Sequence, residues 1–280
     1  SSAQQYFHTF CGVLKVLMLF VAGVVVVAIL LGKNPMTLFA GLGATSAVLM
    51  LVFKDTITGL AAGVRLTSND MLHKGDWITV KSVDANGIVE DMSLTTVKVR
   101  NFDNTIVTIS PITLVNGSFQ NWIGMQKSGG RRVKRVVYFD FRSVRLVDET
   151  LKRNLLAKHF ATEDSFKLKE SLQKAIDKDI QEGKDIEDLK NPAALAPTNL
   201  QLYRKFMEKY LRQRPEVNTD LTLMVRHMEA TQCGLPIEFY FFIKDKVWVN
   251  YEHILADIME HAYALANEFG LKIYEQYPEQ

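Results

Sequence analysis

Leu38 to Leu66 reads LFAGLGATSAVLMLVFKDTITGLAAGVRL, and the chain divides around it, with a long apolar run upstream and a water-soluble texture downstream. Leu38 to Phe53 is apolar enough to enter a bilayer, yet it is rich in glycine and alanine, which let helix backbones approach closely in lipid. On a helical wheel Ala40, Gly43, Ala44, Ala47 and Leu51 share one side, and Leu42, Leu49, Val52 and Phe53 the other. Lys54 and Asp55 interrupt the run. A charge near a helix centre in lipid costs about 2.5–3.5 kcal/mol on insertion scales. The membrane segment is therefore expected to end in a helix break at these two residues.

Beyond the break Ile57, Leu60, Ala61 and Val64 recur at i, i+3, i+4, i+7, with Thr56, Thr58 and Arg65 off that face. Such a stripe is costly to leave in water, so Ile57, Leu60 and Val64 are expected to dock on the domain that follows or on the membrane helices. Two readings of the stretch stand side by side, a simple anchor whose last turns are cytosolic helix and a helix lining a pore. The asymmetric wheel favours the pore. Its lining face must tolerate water yet seal, and on the small-residue side Leu51 is the large apolar member. A ring of Leu51 side chains backed by Ala47 is the expected gate, because hydrophobic constrictions block ions by dewetting. Ala40, Gly43 and Ala44 would line the path.

Upstream, Val16 to Leu31 is uninterrupted apolar sequence, and with its flanks it approaches the ~20 residues that cross a hydrocarbon core. A second apolar segment follows, which argues against a cleaved signal peptide. Gly32 to Thr37, GKNPMT, reads as a tight turn, so the two spans form a hairpin. Lys33 in that turn contrasts with Lys54, Arg65 and Lys74 beyond, which places the soluble rear on the cytoplasmic side. Ser1 to Phe10 has neither a methionine start nor a cationic opening, and it reads as part of a longer protein.

From Gly75 to Trp122 the short β-branched runs TVKSV, IVEDM, TTVKV and TIVTI are separated by Asn86-Gly87 and by Asn101 to Asn104. That is hairpin chemistry, and it predicts a small antiparallel β-domain. GGRRVKR, Gly129 to Arg135, is the densest basic cluster. It is either an anion-attracting wall or a solvated strand end paired with local carboxylates. Helices are expected over Val144 to Phe160, Phe166 to Gln181 and Leu200 to Gln213, with a loop at Asn191 to Pro197 and an exposed charged stretch from Asp177 to Lys190. Leu221 to Met228 and Ile237 to Ile243 read as strands split by QCGLP. Tyr251 to Phe269 reads as a helix with Ile254, Leu255, Ile258, Met259, Ala262 and Leu265 buried, Gly270 as its cap, and Leu271 to Tyr274 as a last short strand.

LGATSAVLMLVFKDTITGLAAGV, LHKGDWITV and NGIVEDMSLTTVKVRNFDNTIVTISPITLVNGSFQNW together resemble the pore helix and β-domain of the MscS family of mechanosensitive channels. GGRRVKR, LTLMVR, GLPIEFYFF and VWVNYEHILADI resemble its miniconductance branch, so the likeness runs collinearly from Val13 to Tyr274. It implies a transmembrane hairpin with pore-lining helix in 1–66, a small Sm-like β-domain in 67–128 and an α/β vestibule domain in 129–280. It further implies a homoheptamer in the bacterial inner membrane that passes ions and small solutes under tension and protects against osmotic downshock, with further helices upstream. The terminal strands of several subunits would close a small barrel. One departure is Asp55, which stands where the family's bend carries a glycine.

Other functions find little support in 280 residues with a formal net charge of +2 and a mean hydropathy near zero, an average of a greasy front and a polar rear. The β-domain carries Lys74, Lys81, Lys98 and Arg100 against Asp70, Asp76, Asp84, Glu90, Asp91 and Asp103, a balance that repels phosphates, so no nucleic acid is expected. Cys11 and Cys233 indicate no disulfide framework. His253, Asp257 and His261 could present metal ligands along one helix face, but polar residues must flank any apolar stripe, and no metal or other cofactor is expected. No phosphate-cradling glycine loop or nucleophile elbow is present, so an enzyme is not expected. The remaining rival to the pore is a membrane-anchored scaffold that binds partners through its cytosolic domains.

Overall fold

The computed structural model describes residues 2–167 and 196–276, together with 174, 177, 178, 181 and 182. The helix expected from Phe166, the charged stretch to Lys190 and the loop to Pro197 lie mainly outside the described residues. The chain forms two compact units, Ser1–Trp122 and Ile123–Gln280.

The first unit opens with α1, Ser2–Leu30, and α2, Pro35–Ser68. Both contain windows long and apolar enough to cross a membrane, and they flank a turn whose residues act on both ends. Gly32 takes a left-handed φ of 59°, which lets the Lys33 amide reach the Ala28 carbonyl at 3.0 Å and close α1. Asn34 accepts from the Met36 amide at 2.9 Å, and Pro35 sits where a missing N–H costs nothing. Val24 and Ala28 are buried, and almost every other described side chain of α1 is exposed.

Five antiparallel strands follow: β1 Trp77–Val80, β2 Ala85–Met92, β3 Val97–Asn101, β4 Ile106–Ile109 and β5 Gln120–Asn121. Their spatial order is β4-β3-β2-β1-β5, and the short helix α3, Pro111–Asn116, lies between β4 and β5. Alternating residues of β1, β2 and β3 feed a core of Ile78, Val80, Ala85, Val89, Val97 and Val99, closed by Leu72, Ile109 and Leu114. The turn expected at Asn86-Gly87 is corrected. The reversal occurs one step earlier, in the 3-10 turn Lys81–Val83 ending on Asp84 at φ 51°, while Asn86 and Gly87 pair inside β2 with Thr79 and Ile78. Gly87 is needed there because a Cβ would stand 1.9 Å from the Arg100 carbonyl oxygen on β3.

The second unit begins with α4, Ile123–Lys127, and β6, Arg131–Phe139, and continues through α5, Glu149–Ala157, and α6, Asn199–Gln213. β7, Met224–His227, β8, Leu235–Ile243, and α7, Trp248–Glu268, complete it. The sheet runs β6-β8-β7, antiparallel throughout, and Val133, Val137, Phe139, Phe239 and Phe241 pack against Leu155, Tyr203, Met207, Ile258 and Ala262 of the helices. α5 is shorter than the helix expected from Val144. Asp148 accepts from the Leu151 amide at 2.7 Å and caps it, while the preceding residues run extended and Leu146 bridges to Thr198. On α7 Leu255, Ile258, Met259 and Ala262 are buried as the spacing predicts, with Ile254 and Leu265 partly so. Gly270, at φ 68°, ends the helix with Leu271 donating to the Ala266 carbonyl at 3.0 Å. The expected last strand reduces to one bridge, Ile273 to Phe139 on the edge of β6.

A candidate pore helix seated in the β-domain

α2 is one helix across Lys54 and Asp55, so the expected break there is corrected. A charged pair changes the solvent a helix prefers without removing a backbone donor, and neither residue is a glycine or proline. Thr58 donates to the Lys54 carbonyl at 2.7 Å, one turn back on the same helix. By rise alone, Pro35 to Phe53 covers roughly 28 Å, about one hydrocarbon core, and the rest continues some 20 Å beyond it. Within the apolar part, Thr45 satisfies its hydroxyl on the Gly41 carbonyl at 2.9 Å, as a polar group in lipid must.

In the single chain both faces of this segment are open. Ala40, Gly43, Ala44 and Ala47 are exposed, Leu51 is 76% exposed, and Leu49 on the opposite side is 52% exposed. No Cβ added at Gly41, Gly43 or Gly59 would meet another part of the chain within 4 Å. Among the described residues, the small-residue face has no partner within the chain.

The lower end of α2 is different. Leu66 is 1% exposed and belongs to the β-domain core, Ala62 is 2% exposed, and Gly63 is buried. Ile57, Leu60 and Val64, the residues expected to dock, stay 56%, 39% and 51% exposed. The contact uses the neighbouring face because a helix seats closely through small residues, while the branched stripe would hold the backbones apart. The tripeptide Ala61-Ala62-Gly63 carried that signal in the sequence.

Asp76 and Asn121 fasten the segment that leaves α2. The Asp76 carboxylate accepts from the His73 amide at 3.1 Å and from Asn121 at 2.8 Å, and Asn121 also donates to the Met71 carbonyl at 3.4 Å. Trp77 and Trp122 stack at 4.6 Å, with their indole N–H groups on Asn86 and Thr79.

In the second unit the basic cluster divides. Arg131 lies over the Tyr251 ring at 4.4 Å, Arg132 and Arg135 are exposed, and the Lys134 ammonium stands 3.7 Å from Glu238. Glu238 is fully buried, and its other oxygen accepts from Arg226 Nε at 2.5 Å. The Arg226 hydrogen bond, opposed by desolvation and helped by both cations, holds this carboxyl below its usual range. Its contribution is complete above the ordinary carboxylate range and is lost as pH falls through the lowered folded value. Glu238→Gln should flatten the acid limb of unfolding followed by circular dichroism. Arg226→Ala should cost about 2 kcal/mol at neutral pH, less than a fully buried pair because Arg226 is half exposed. His253, Asp257 and His261 are exposed on α7, with His261 stacked on Tyr210 at 5.8 Å.

The second helix of an apolar hairpin thus ends inside the core of the β-domain, so the candidate spanning helix and that domain share one hydrophobic core. Residues 55–124 match the family model described as mechanosensitive ion channel, beta-domain. The chain is 33% identical over 90 residues to the small-conductance mechanosensitive channel MscMJ of Methanocaldococcus jannaschii, covering 32% of this chain and 25% of that one. It is 29% identical over 149 residues to the large-conductance channel MscMJLR of the same organism, covering 53% and 40%. These matches span less than half the length of either relative. Among solved structures, Helicobacter pylori MscS in its closed state superposes with a TM-score of 0.54 at 14% identity, over 96% of this chain and 81% of that one. Arabidopsis thaliana MSL1 gives 0.58 at 11%, over 94% and 74%. Residues 55–124 are thus similar to the β-domain of mechanosensitive ion channels, and the fold of the chain is like that of MscS-type channel structures.

Proposed function

We propose that this chain forms the pore and cytoplasmic part of a tension-gated ion channel of the miniconductance branch, assembled as a homoheptamer in a bacterial inner membrane. The observation that carries the reading is α2, which presents an unpartnered small-residue face in its apolar half and buries Leu66 in the β-domain core at its other end. One helix cannot enclose water, so the small faces must meet about a symmetry axis. Ala40, Gly43 and Ala44 line the path, Leu51 and Ala47 close it, and Lys54 and Asp55 mark where the helix leaves the hydrocarbon. Residues 1–66, 67–128 and 129–280 act as membrane part, β-domain and vestibule. Tension works as a ligand does, favouring the open state because it occupies more membrane area. Ions and small solutes released in this way would relieve osmotic downshock.

Patch recording of the full-length protein under graded suction is expected to show openings that rise with tension. Native mass measurement in lipid nanodiscs is expected to give seven subunits. A monomer at native lipid content, or silence at every tension, would exclude the pore.

A further inference from the structure

We infer that Gly63 and the Leu94 carbonyl are the positioning pair that couples α2 to the β-domain, a step that rests on the channel reading above. A Cβ at Gly63 would stand 2.4 Å from the Leu94 carbonyl oxygen, closer than real Cβ atoms come, and a tight 3.0 Å from the Leu94 carbonyl carbon and Cα. Helix and loop therefore touch backbone to backbone. The loop cannot give way easily, because Ser93 and Thr96 lock it. The Ser93 amide donates to the Thr96 carbonyl at 2.8 Å, and the Thr96 amide donates back to the Ser93 hydroxyl at 3.0 Å. Leu94 itself is 52% exposed, so its side chain contributes little to the core and its carbonyl is the part that matters.

On either side of this contact Ala62 and Leu66 are buried, which fixes the rotation of the helix about its axis. A turn or slide of α2 must then drag the β2–β3 loop along, or unseat Gly63. The four other glycines near or within this helix, Gly32, Gly41, Gly43 and Gly59, have open space where a Cβ would go. Gly63 is thus held by fit, and helix flexibility does not account for it.

Gly59→Ala and Gly63→Ala raise helix propensity equally, so the pair separates a hinge from a seat. In the full-length channel Gly63→Ala should lower the tension for half opening, because α2 no longer carries the β-domain with it. It should also raise amide exchange across 60–72 by about tenfold or more, the scale of an overpacked contact. Gly59→Ala should match the native protein in both. Leu94→Gly, which softens the loop without touching the core, should reproduce the Gly63→Ala gating shift and decides the matter if Gly63→Ala fails to assemble. Identical behaviour of the two glycine variants, or native gating in Leu94→Gly, would overturn the inference. Silence of the native channel would instead remove the channel reading, and the exchange contrast would still report whether Gly63 is seated.

Discussion

Asn199→Leu is expected to destabilise the second unit by about 3 kcal/mol, roughly 1 kcal/mol for each backbone group it would strand in the buried residues Ser143, Leu200 and Phe269. Asn199 is fully buried at the start of α6, and every bonding position of its amide is used. Its nitrogen donates to the Ser143 carbonyl at 2.8 Å and to the Phe269 carbonyl at 3.0 Å. Its oxygen accepts from the Arg145 amide at 3.0 Å and from the Leu200 amide at 2.9 Å. One side chain therefore ties the first turn of α6, the strand-like entry to α5 and the last turn of α7. Leucine fills similar volume, so the loss isolates hydrogen bonding from packing. Urea unfolding of the purified protein, with exchange followed on the 199–213 and 248–269 helices, measures it. A loss under about 1 kcal/mol would mean that water or a shifted backbone replaces these bonds.

Asn199 also shows what sequence reading misses. Nothing in NPAALAPTNLQLY marks this asparagine over its neighbours, since three of its four partners, Ser143, Arg145 and Phe269, lie more than fifty residues away. The two long apolar helices, the β-domain and α7 were legible because each rests on a local pattern, apolar length or a period of two or 3.6. The errors arose where one local signal served a different purpose. Asn86-Gly87 has the composition of a turn, but Asn86 is an acceptor for Trp77 and Thr79 and Gly87 makes room for Arg100. Lys54 and Asp55 make the helix surface polar, which sequence cannot distinguish from a change of backbone, and α2 runs through them unbroken. The stripe Ile57, Leu60, Val64 is the most apolar face of its segment, yet docking selected the smaller face beside it. Hydrophobicity locates what is to be covered, and shape decides which neighbour can come close.

Leu51→Asn is expected to raise open probability at sub-threshold tension by about tenfold, the effect of shifting the closed-open balance by about 1.4 kcal/mol. The wheel places Leu51 with Ala40, Ala44 and Ala47, and its side chain is the largest on that face and one of the most exposed on the helix. If seven copies bring this face to an axis, the alanines leave a gap and the leucines fill it, so water and ions meet an apolar ring one turn before Lys54. An ion crossing it must shed hydration with no polar group in exchange, and an asparagine ring supplies those groups. Leu49 is the control, since it lies across the helix with Phe53 and is also exposed in the single chain. Leu49→Asn should put a polar amide against lipid or a neighbouring helix and reduce insertion or assembly, leaving the conductance of the remaining channels unchanged. Single-channel recording of both variants, with membrane yield measured alongside, checks the assignment. A silent effect at Leu51 beside a leak at Leu49 would rotate the pore face by about half a turn of the helix.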